Sequence, residues 1–433
     1  MSAWLRHALH RRVQPQRYQF LESLLANQAL SRNALADKQR RDLADMVAFA
    51  AGNTAYYRNR YAGIPLAVDS FDITRLPILT KEEVLAHREA LLADGLPEGS
   101  VRLGYTGGST GKPLGFYYDS TKTELMRAGM SRSYMWVGWR PGQKIVNFWG
   151  AKQDLKGGAW LRRTYRDFIK AEHTIGAWEY SEADLAAWVR KINRYRPVLL
   201  QGYASILAEL AGYVVEQGLR IRAPLLGVFS TAEVLHARQR ALMEQAFSCR
   251  VFNQYGSREV PNIACECRHG NLHVLADMVY LESMTIDGED RLLVTSLTNR
   301  VMPLIRYEIG DSGRLKPGEC GCGSPFPMLE MGLCRSNDII RLADGRRIYP
   351  SYFVHLLDGL SGIRQYQFIQ TAADRIMLSV VADPMPSPEI WEPIRKQLSR
   401  EFSQALTFEV HQVDAIPRSQ SGKHRFVISQ LEH

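Results

Sequence analysis

From residue 183 onward the apolar positions switch repeatedly between two periods. In "DLAAWVRKINRYRP" Leu185, Trp188, Val189 and Ile192 recur at helical spacing, and the pattern stops before Pro197. "VLL" (198–200) is too short for a helix and reads as a buried strand. "SILAELAGYVVEQG" is then a helix expected to open at a capping Ser205 and to close at Gly218. "LLGVFS" (225–230), a helix near 236–247 and "RVFNQYG" (250–256) continue the alternation. Such a pattern predicts a largely parallel sheet covered by helices, with ligands held by loops at the strand ends.

Past about residue 335 the grammar changes. "DIIRL", "RQYQFIQ" and "DRIMLSVVAD" read as strands, a long helix covers 386–404, and "LTFEVHQV" is a final strand. The expected fold class is α/β: a large N-terminal domain of helix-covered sheets over residues 1–334, then a small α+β domain over 335–433.

Composition narrows the functional classes. A chain of 433 residues, 45% hydrophobic and 23% charged, is ordinary globular material that can bury two cores. No apolar run approaches the roughly 20 residues that span a bilayer, so no membrane partner is expected. The basic start "MSAWLRHALHRRVQPQRYQF" lacks the apolar stretch and cleavage site of a signal peptide; it reads as a surface or packing helix of a cytoplasmic protein. Six cysteines in that setting argue against a disulfide framework. The net charge of +9 is scattered, with "RHALHRR" and "RRTYRDFIK" its densest patches. Neither sits in a nucleic-acid module, so no nucleic-acid partner is expected, whereas a positive bias suits polyanionic small molecules such as ATP or coenzyme A. Oligomeric state is not legible.

Four short stretches carry chemistry. "GYTGGSTGKPLGFYYD" (104–119) resembles a phosphate loop, but Thr106 stands at the first glycine of the P-loop pattern. Pro113 replaces the hydroxyl residue that would hold Mg²⁺. Its glycines, Gly107, Gly108 and Gly111, let backbone N–H groups approach an anion; Ser109 and Thr110 add hydroxyls and Lys112 a point charge. "NQYGSREV" (253–260) offers Tyr255 as a stacking ring and Glu259 as a hard oxygen ligand at a strand end. In isolation it also reads as a surface turn with an Arg258–Glu259 ion pair. "LTNRVMPLIRYEIGDSG" (297–313) presents Asp311 after Gly310, a carboxylate able to accept from a ribose diol. "PRSQSGKHRF" (417–426) is a polar tip centred on Lys423 that by itself would be called a frayed tail.

Taken in order, Thr-Gly-Gly-Ser-Thr-Gly-Lys-Pro, Tyr-Gly-Ser-x-Glu, Arg-Tyr-x-x-Gly-Asp, Arg-x-x-Asp and a C-terminal Ser-Gly-Lys resemble the adenylate-forming enzymes: acyl-CoA synthetases, adenylation domains and luciferases. The upstream "NTAYYRNRYAGIP" and "FDITRLPILTKEEVLAHREALLA" look like the phenylacetate–CoA ligase branch, and the resemblance runs from about residue 40 to 427. It implies roles. Thr106 to Lys112 would wrap the β- and γ-phosphates of ATP. Ser230, Ala232 and Glu233 of "STAE", with Gln254, Tyr255, Gly256 and Ser257, would hold the adenine and α-phosphate. Glu259 would bind Mg²⁺, and Asp311 and Arg335 the ribose. Lys423, carried on a mobile small domain, would reach the reacting groups during adenylation. A mobile point charge suits that task, because a carboxylate attacking an α-phosphate brings two anions together. Asn337 stands in the hinge place where the family commonly has Asp, a departure bearing on the thioester-forming half-reaction. The phosphate loop also reads Thr-Gly-Gly where Ser-Ser-Gly or Thr-Ser-Gly is more usual.

The resemblance places the acid near Trp149, Tyr203 and Ser230; the two aromatics suit a flat or aromatic acid but such rings also occur in cores. Arg162, Arg163 and Arg166 are candidate charge partners of the substrate or solvated surface. "ACECRHGNLHV" (Cys265, Cys267, His269, His273) and "ECGCGSPFP" (Cys320, Cys322) together offer enough ligands for a tetrahedral structural zinc. The same branch carries a spacing that matches Cys267, His273, Cys320 and Cys322, with Cys265 and His269 as bystanders.

The expected activity is ATP-dependent activation of a carboxylic acid as acyl-AMP, followed by transfer to coenzyme A. Transfer of the acyl group to an amine, transfer of AMP to a hydroxyl, and a non-catalytic nucleotide-binding role are the alternatives.

Overall fold

The computed structural model describes residues 2–66, 72–106, 114–149, 169–177, 180–286, 289–335, 340–341, 347–348, 352–353, 356–357, 360, 362–402, 406–417 and 424–431. The chain forms two compact units, Met1–Ile309 with Gly313–Glu330, and Met331–His433 with Gly310–Ser312.

The first unit opens with helices whose starts are written in the sequence. α1 (Ala3–Val13) is capped by Ser2, α2 (Pro15–Gln28) begins at Pro15, α3 (Arg32–Asn53) is capped by Ser31 and α4 (Ala55–Arg60) by Thr54. α5 (Lys81–Ala86) carries a capping box between Thr80 and Glu83. Each such side chain satisfies an otherwise orphaned N–H, worth about 1 kcal/mol. β1 (Arg102–Tyr105) and β2 (Gly115–Tyr118) then pair antiparallel, ending at Tyr105 opposite Gly115. α6 (Ser120–Met135) follows, with Asp119 accepting from the Lys122 N–H.

The alternating segment folds as expected. β3 (Ile145–Trp149), β4 (Glu172–Gly176), α7 (Glu182–Tyr195), β5 (Leu199–Tyr203), α8 (Ala204–Glu216), β6 (Gly227–Thr231), α9 (Ala237–Phe247) and β7 (Val251–Tyr255) form a parallel array in the order β7-β6-β5-β3-β4. Beyond β7 the sheet turns antiparallel through β8 (Ala264–Glu266) and β9 (Leu272–Val274). It continues with β10 (Val279–Ile286), β11 (Glu289–Ser296), β12 (Tyr307–Lys316) and β13 (Met328–Arg335), to 11 strands among the described residues. Residues on one face of the parallel strands, Val146, Phe148, Leu200, Val228 and Val251, pack against α7, α8 and α9 through Ile192, Leu207, Leu210 and Met243. Those on the other face, Ile145, Leu199, Phe229 and Phe252, pack against Tyr134 of α6 and the following Val137 and Trp139. Period-2 alternation thus gives each strand two buried faces, each large apolar side chain contributing about 1.5–3 kcal/mol.

One local expectation fails. Ser205 does not cap α8: the helix begins at Ala204 after Tyr203, and the Ser205 N–H and hydroxyl both bond to Glu233. The other end is as read, with Gly218 in the left-handed conformation just past the last turn.

In the second unit, β14 (Ile340–Arg341) pairs with β15 (Arg347–Ile348). β16 (Ile363–Ala372), β17 (Arg375–Ala382), β18 (Thr407–Gln412) and β19 (Val427–Ser429) form a sheet in the order β18-β17-β16-β19. The long helix is shorter than expected: Pro388 and its neighbours take a 3-10 turn before α10 (Glu392–Phe402). Phe353, Phe368, Leu378, Trp391 and Leu398 are at the centre of this unit's own core.

Candidate functional site

Four adjacent parallel strands end side by side at Trp149, Tyr203, Thr231 and Tyr255. Tyr203 lies opposite Thr231, and Thr231 opposite Gln254. Ligands of open α/β sheets bind beyond such carboxyl ends. This register brings Trp149, Tyr203, Ser230, Ala232, Glu233, Gln254, Tyr255, Gly256 and Ser257 to one edge of the sheet. The Trp149 and Tyr203 rings meet edge to face, 5.3 Å between centroids. The fully buried Ser230 hydroxyl has no hydrogen-bond partner among the described residues. Gln254 accepts from Gln201 Nε2 at 2.9 Å, while its own Nε2 is buried with no partner among the described residues; Gln201 in turn accepts from the Tyr134 hydroxyl. Ala232 adopts a left-handed backbone (φ 69°) directly after β6. Glu233 next to it accepts from the Ser205 N–H (2.8 Å) and hydroxyl (3.1 Å), so its carboxylate is drawn onto the first turn of α8.

The loop after β7 folds back on itself. Ser257 N–H donates to the Val260 carbonyl (2.9 Å), Val260 N–H to the Ser257 hydroxyl (3.0 Å), and Ile263 N–H to the Tyr255 carbonyl (3.0 Å). A Cβ on Gly256 would lie 2.9 Å from the Asn262 backbone nitrogen, so this doubling-back requires glycine there. The loop delivers Glu259 with 6% of its surface exposed. Oε1 accepts from the Tyr307 hydroxyl at 3.4 Å, and Oε2 is buried without a partner among the described residues. A buried carboxylate oxygen left unsatisfied is expensive, and a hard cation is the kind of group that satisfies it.

Lys122, which nothing in the sequence singled out, lies beneath this loop. Its Nζ donates to the carbonyls of Glu259 (2.8 Å) and Arg258 (3.3 Å) and sits 4.4 Å from the Phe116 ring centroid. Burial pulls its ammonium down to about 7, with Glu259 and Asp119 opposing that shift. A lysine in the first turn of a polar helix reads as a solvated side chain, so no sequence signal marked it.

Thr106 closes the mouth of the β1–β2 hairpin: its N–H donates to the Leu114 carbonyl (2.9 Å) and its hydroxyl accepts from the Leu114 N–H (3.0 Å). Gly107, Gly108, Ser109, Thr110, Gly111, Lys112, Asn337 and Lys423 lie outside the described residues, as do Arg162, Arg163 and Arg166. Arg335 ends β13, and its side chain also lies outside them. Asp311 is in β12, after Gly310 at φ 82°, in a segment that groups with the second unit.

The cysteine stretches converge. The ligand atoms of Cys267, His273, Cys320 and Cys322 all lie within 4.8 Å of one another. Cys267 Sγ is 3.7 Å from Cys320 Sγ, and Cys322 Sγ is 3.3 Å from His273 Nε2. His273 Nδ1 faces the Phe326 carbonyl at 2.9 Å, which leaves Nε2 for the cluster. Burial raises the Cys320 thiol, but hydrogen bonds, from Cys322 and Asn271 among others, outweigh it and bring it to about 6. Cys265 is buried instead among Phe229, Phe252 and Val137. His269 only donates its backbone N–H to Cys267 Sγ, at 3.4 Å. Three thiols and one imidazole make a donor set that fits zinc.

Comparison with known proteins agrees with this architecture. Residues 340–430 match the CapK C-terminal domain family. The chain is 24% identical to the protein CapK of Staphylococcus aureus over 419 residues, covering 92% of this chain and 90% of that protein. It is 24% identical to the phenylacetate–coenzyme A ligase of Thermus thermophilus, covering 89% and 88%. The structure of 2-hydroxyisobutyryl-CoA ligase in complex with an acyl-adenylate superposes with a TM-score of 0.73 over 93% of this chain and 91% of that one, at 19% identity. The fold is thus that of the adenylate-forming ligases it superposes on. The chain's relatives include phenylacetate–coenzyme A ligases, at 24% and 26% identity.

Proposed function

We propose that the protein joins a carboxylic acid to coenzyme A through an acyl-adenylate. A carboxylate oxygen of the acid attacks the α-phosphorus of ATP and pyrophosphate leaves. The thiol of coenzyme A then attacks the acyl carbon, and AMP leaves. The observation that carries this reading is Glu259: a buried carboxylate with an unpartnered oxygen, at the carboxyl end of a parallel strand, on a loop beginning with an aromatic residue and an obligatory glycine.

In this reading Tyr255 stacks on adenine, Asp311 and Arg335 hold the ribose, and the stretch from Thr106 to Lys112 grips the departing phosphates. Glu259 holds Mg²⁺, which would neutralise phosphate charge. Lys423 approaches the carboxylate and α-phosphate as a point charge. Trp149 and Tyr203 favour a flat acid. Cys267, His273, Cys320 and Cys322 hold zinc with all four positions filled by protein, so its role is to fasten two loops.

Acid-dependent ATP–pyrophosphate exchange over a panel of aryl and alkyl carboxylates, without coenzyme A, tests the first half-reaction. Exchange with one acid, followed by thioester formation on adding coenzyme A, is the expected result. Exchange without thioester would move the reading to an amine acceptor. Silence across the panel with ATP bound would reject acid activation.

A further inference from the structure

We propose that Lys122 is a positioning residue for Glu259. Through it the Glu259 loop and the hairpin that frames residues 107–113 are held as one body. The proposal rests on the reading of Glu259 as the Mg²⁺ ligand.

Three observations point to it. Lys122 is 4% exposed, and burying an ammonium needs compensation. That compensation goes to one place: Nζ donates to the Arg258 and Glu259 carbonyls, the two peptide groups flanking the Glu259 Cα on its N- and C-terminal sides. The same ammonium lies over Phe116 and, at 5.7 Å, Tyr118, both in β2. A second tie runs in parallel, from Arg258 Nη1 to the Tyr105 carbonyl in β1 at 3.1 Å. Both strands of the hairpin are therefore fastened to residues 258–259.

The consequence is geometric. With both flanking peptide planes fixed, Glu259 has little backbone freedom, and Oε1 meets Tyr307 while Oε2 stays unpartnered. Without the lysine, the loop keeps its internal Ser257–Val260 bonds and the Arg258–Tyr105 tie to β1 but loses its anchor at β2. A ligand held by a supporting hydrogen bond typically loses roughly 10–100-fold in metal affinity when that support is removed.

The test measures ATP binding calorimetrically across a Mg²⁺ series, in the full-length protein. Lys122→Met should retain the fold and require roughly tenfold or more Mg²⁺ for half-maximal ATP affinity. Combined with Glu259→Gln, it should add nothing to the Glu259→Gln defect, since it acts through that side chain. Lys144 also donates to a carbonyl, that of Tyr195, and lies over an aromatic ring; Lys144→Met should leave the Mg²⁺ requirement unchanged. If Lys122→Met does not fold, Lys122→Gln, which keeps a donor and drops the charge, should shift the requirement in the same direction. A wild-type Mg²⁺ requirement in a folded Lys122 variant, or additive defects in the double variant, would overturn the proposal. ATP binding by the unaltered protein that is indifferent to Mg²⁺ and to Glu259→Gln would instead overturn the role given to Glu259.

Discussion

His273 Nδ1 and the Phe326 carbonyl oxygen stand 2.9 Å apart, while Nε2 of the same ring faces Cys322 Sγ. The backbone thus fixes the tautomer that a metal needs, because the N–H must be on Nδ1 for the lone pair to be on Nε2. The protein as purified is expected to contain zinc by elemental analysis, and a strong chelator should lower its melting temperature by several degrees. An unchanged melting temperature in a zinc-free preparation would remove the metal from the account.

Arg132 and Asp277 form an ion pair, 2.6 and 2.8 Å, with both side chains fully buried. Arg132 also donates to the Leu24 carbonyl and stacks over Phe326, and Asn27 donates to Asp277. The pair joins α2, α6 and the Phe326 loop. Asp277→Asn should cost about 3–5 kcal/mol by leaving a buried guanidinium uncompensated. Denaturant unfolding measures this, and a loss below about 1 kcal/mol would show that the charges are compensated elsewhere.

Lys122 predicts a pH dependence of stability. Its ammonium titrates at about 7 in the folded chain and at 10.5 when unfolded. Between those values the unfolded state binds the additional proton, so this group makes stability rise with pH from about 7 towards 10.5 and removes that contribution as pH falls. Unfolding curves for Lys122→Met should lack this component of the slope. Identical slopes in variant and wild type would mean that the lysine titrates normally.

Lys423→Ala should reduce acyl-adenylate formation by at least about a hundredfold while ATP affinity stays close to wild type, as for loss of a charge that acts on the transition state. Pyrophosphate exchange and calorimetric ATP binding separate the two. Adenylation at the wild-type rate would free this lysine from its assigned role.

Much of this was present in the sequence by itself. The alternation from Leu185 to Tyr255 determined the parallel array, because a buried strand and an amphipathic helix have different periods that one chain displays in order. In the small unit β16, β17 and β18 were legible as strands, whereas β19 (Val427–Ser429), the fourth strand of that sheet, was not read, and "DIIRL" falls in the separate β14–β15 pair. The series of motifs taken together, through its resemblance to the adenylate-forming enzymes, picked out Glu259, and the two cysteine stretches marked a candidate metal site. What tertiary structure alone decided are the relations between residues far apart in the chain. Cys265 reads like Cys267 in one dimension, yet strand pleating sends it into the Phe229 and Phe252 core. Ser205 looks like a cap, but Glu233, 28 residues on, takes its N–H and hydroxyl. Lys122 looks like a solvated lysine and is buried under a loop 137 residues away. Periodicity records which face of an element is apolar, but partners across the fold leave no periodic trace, so those contacts exist only once the chain is packed.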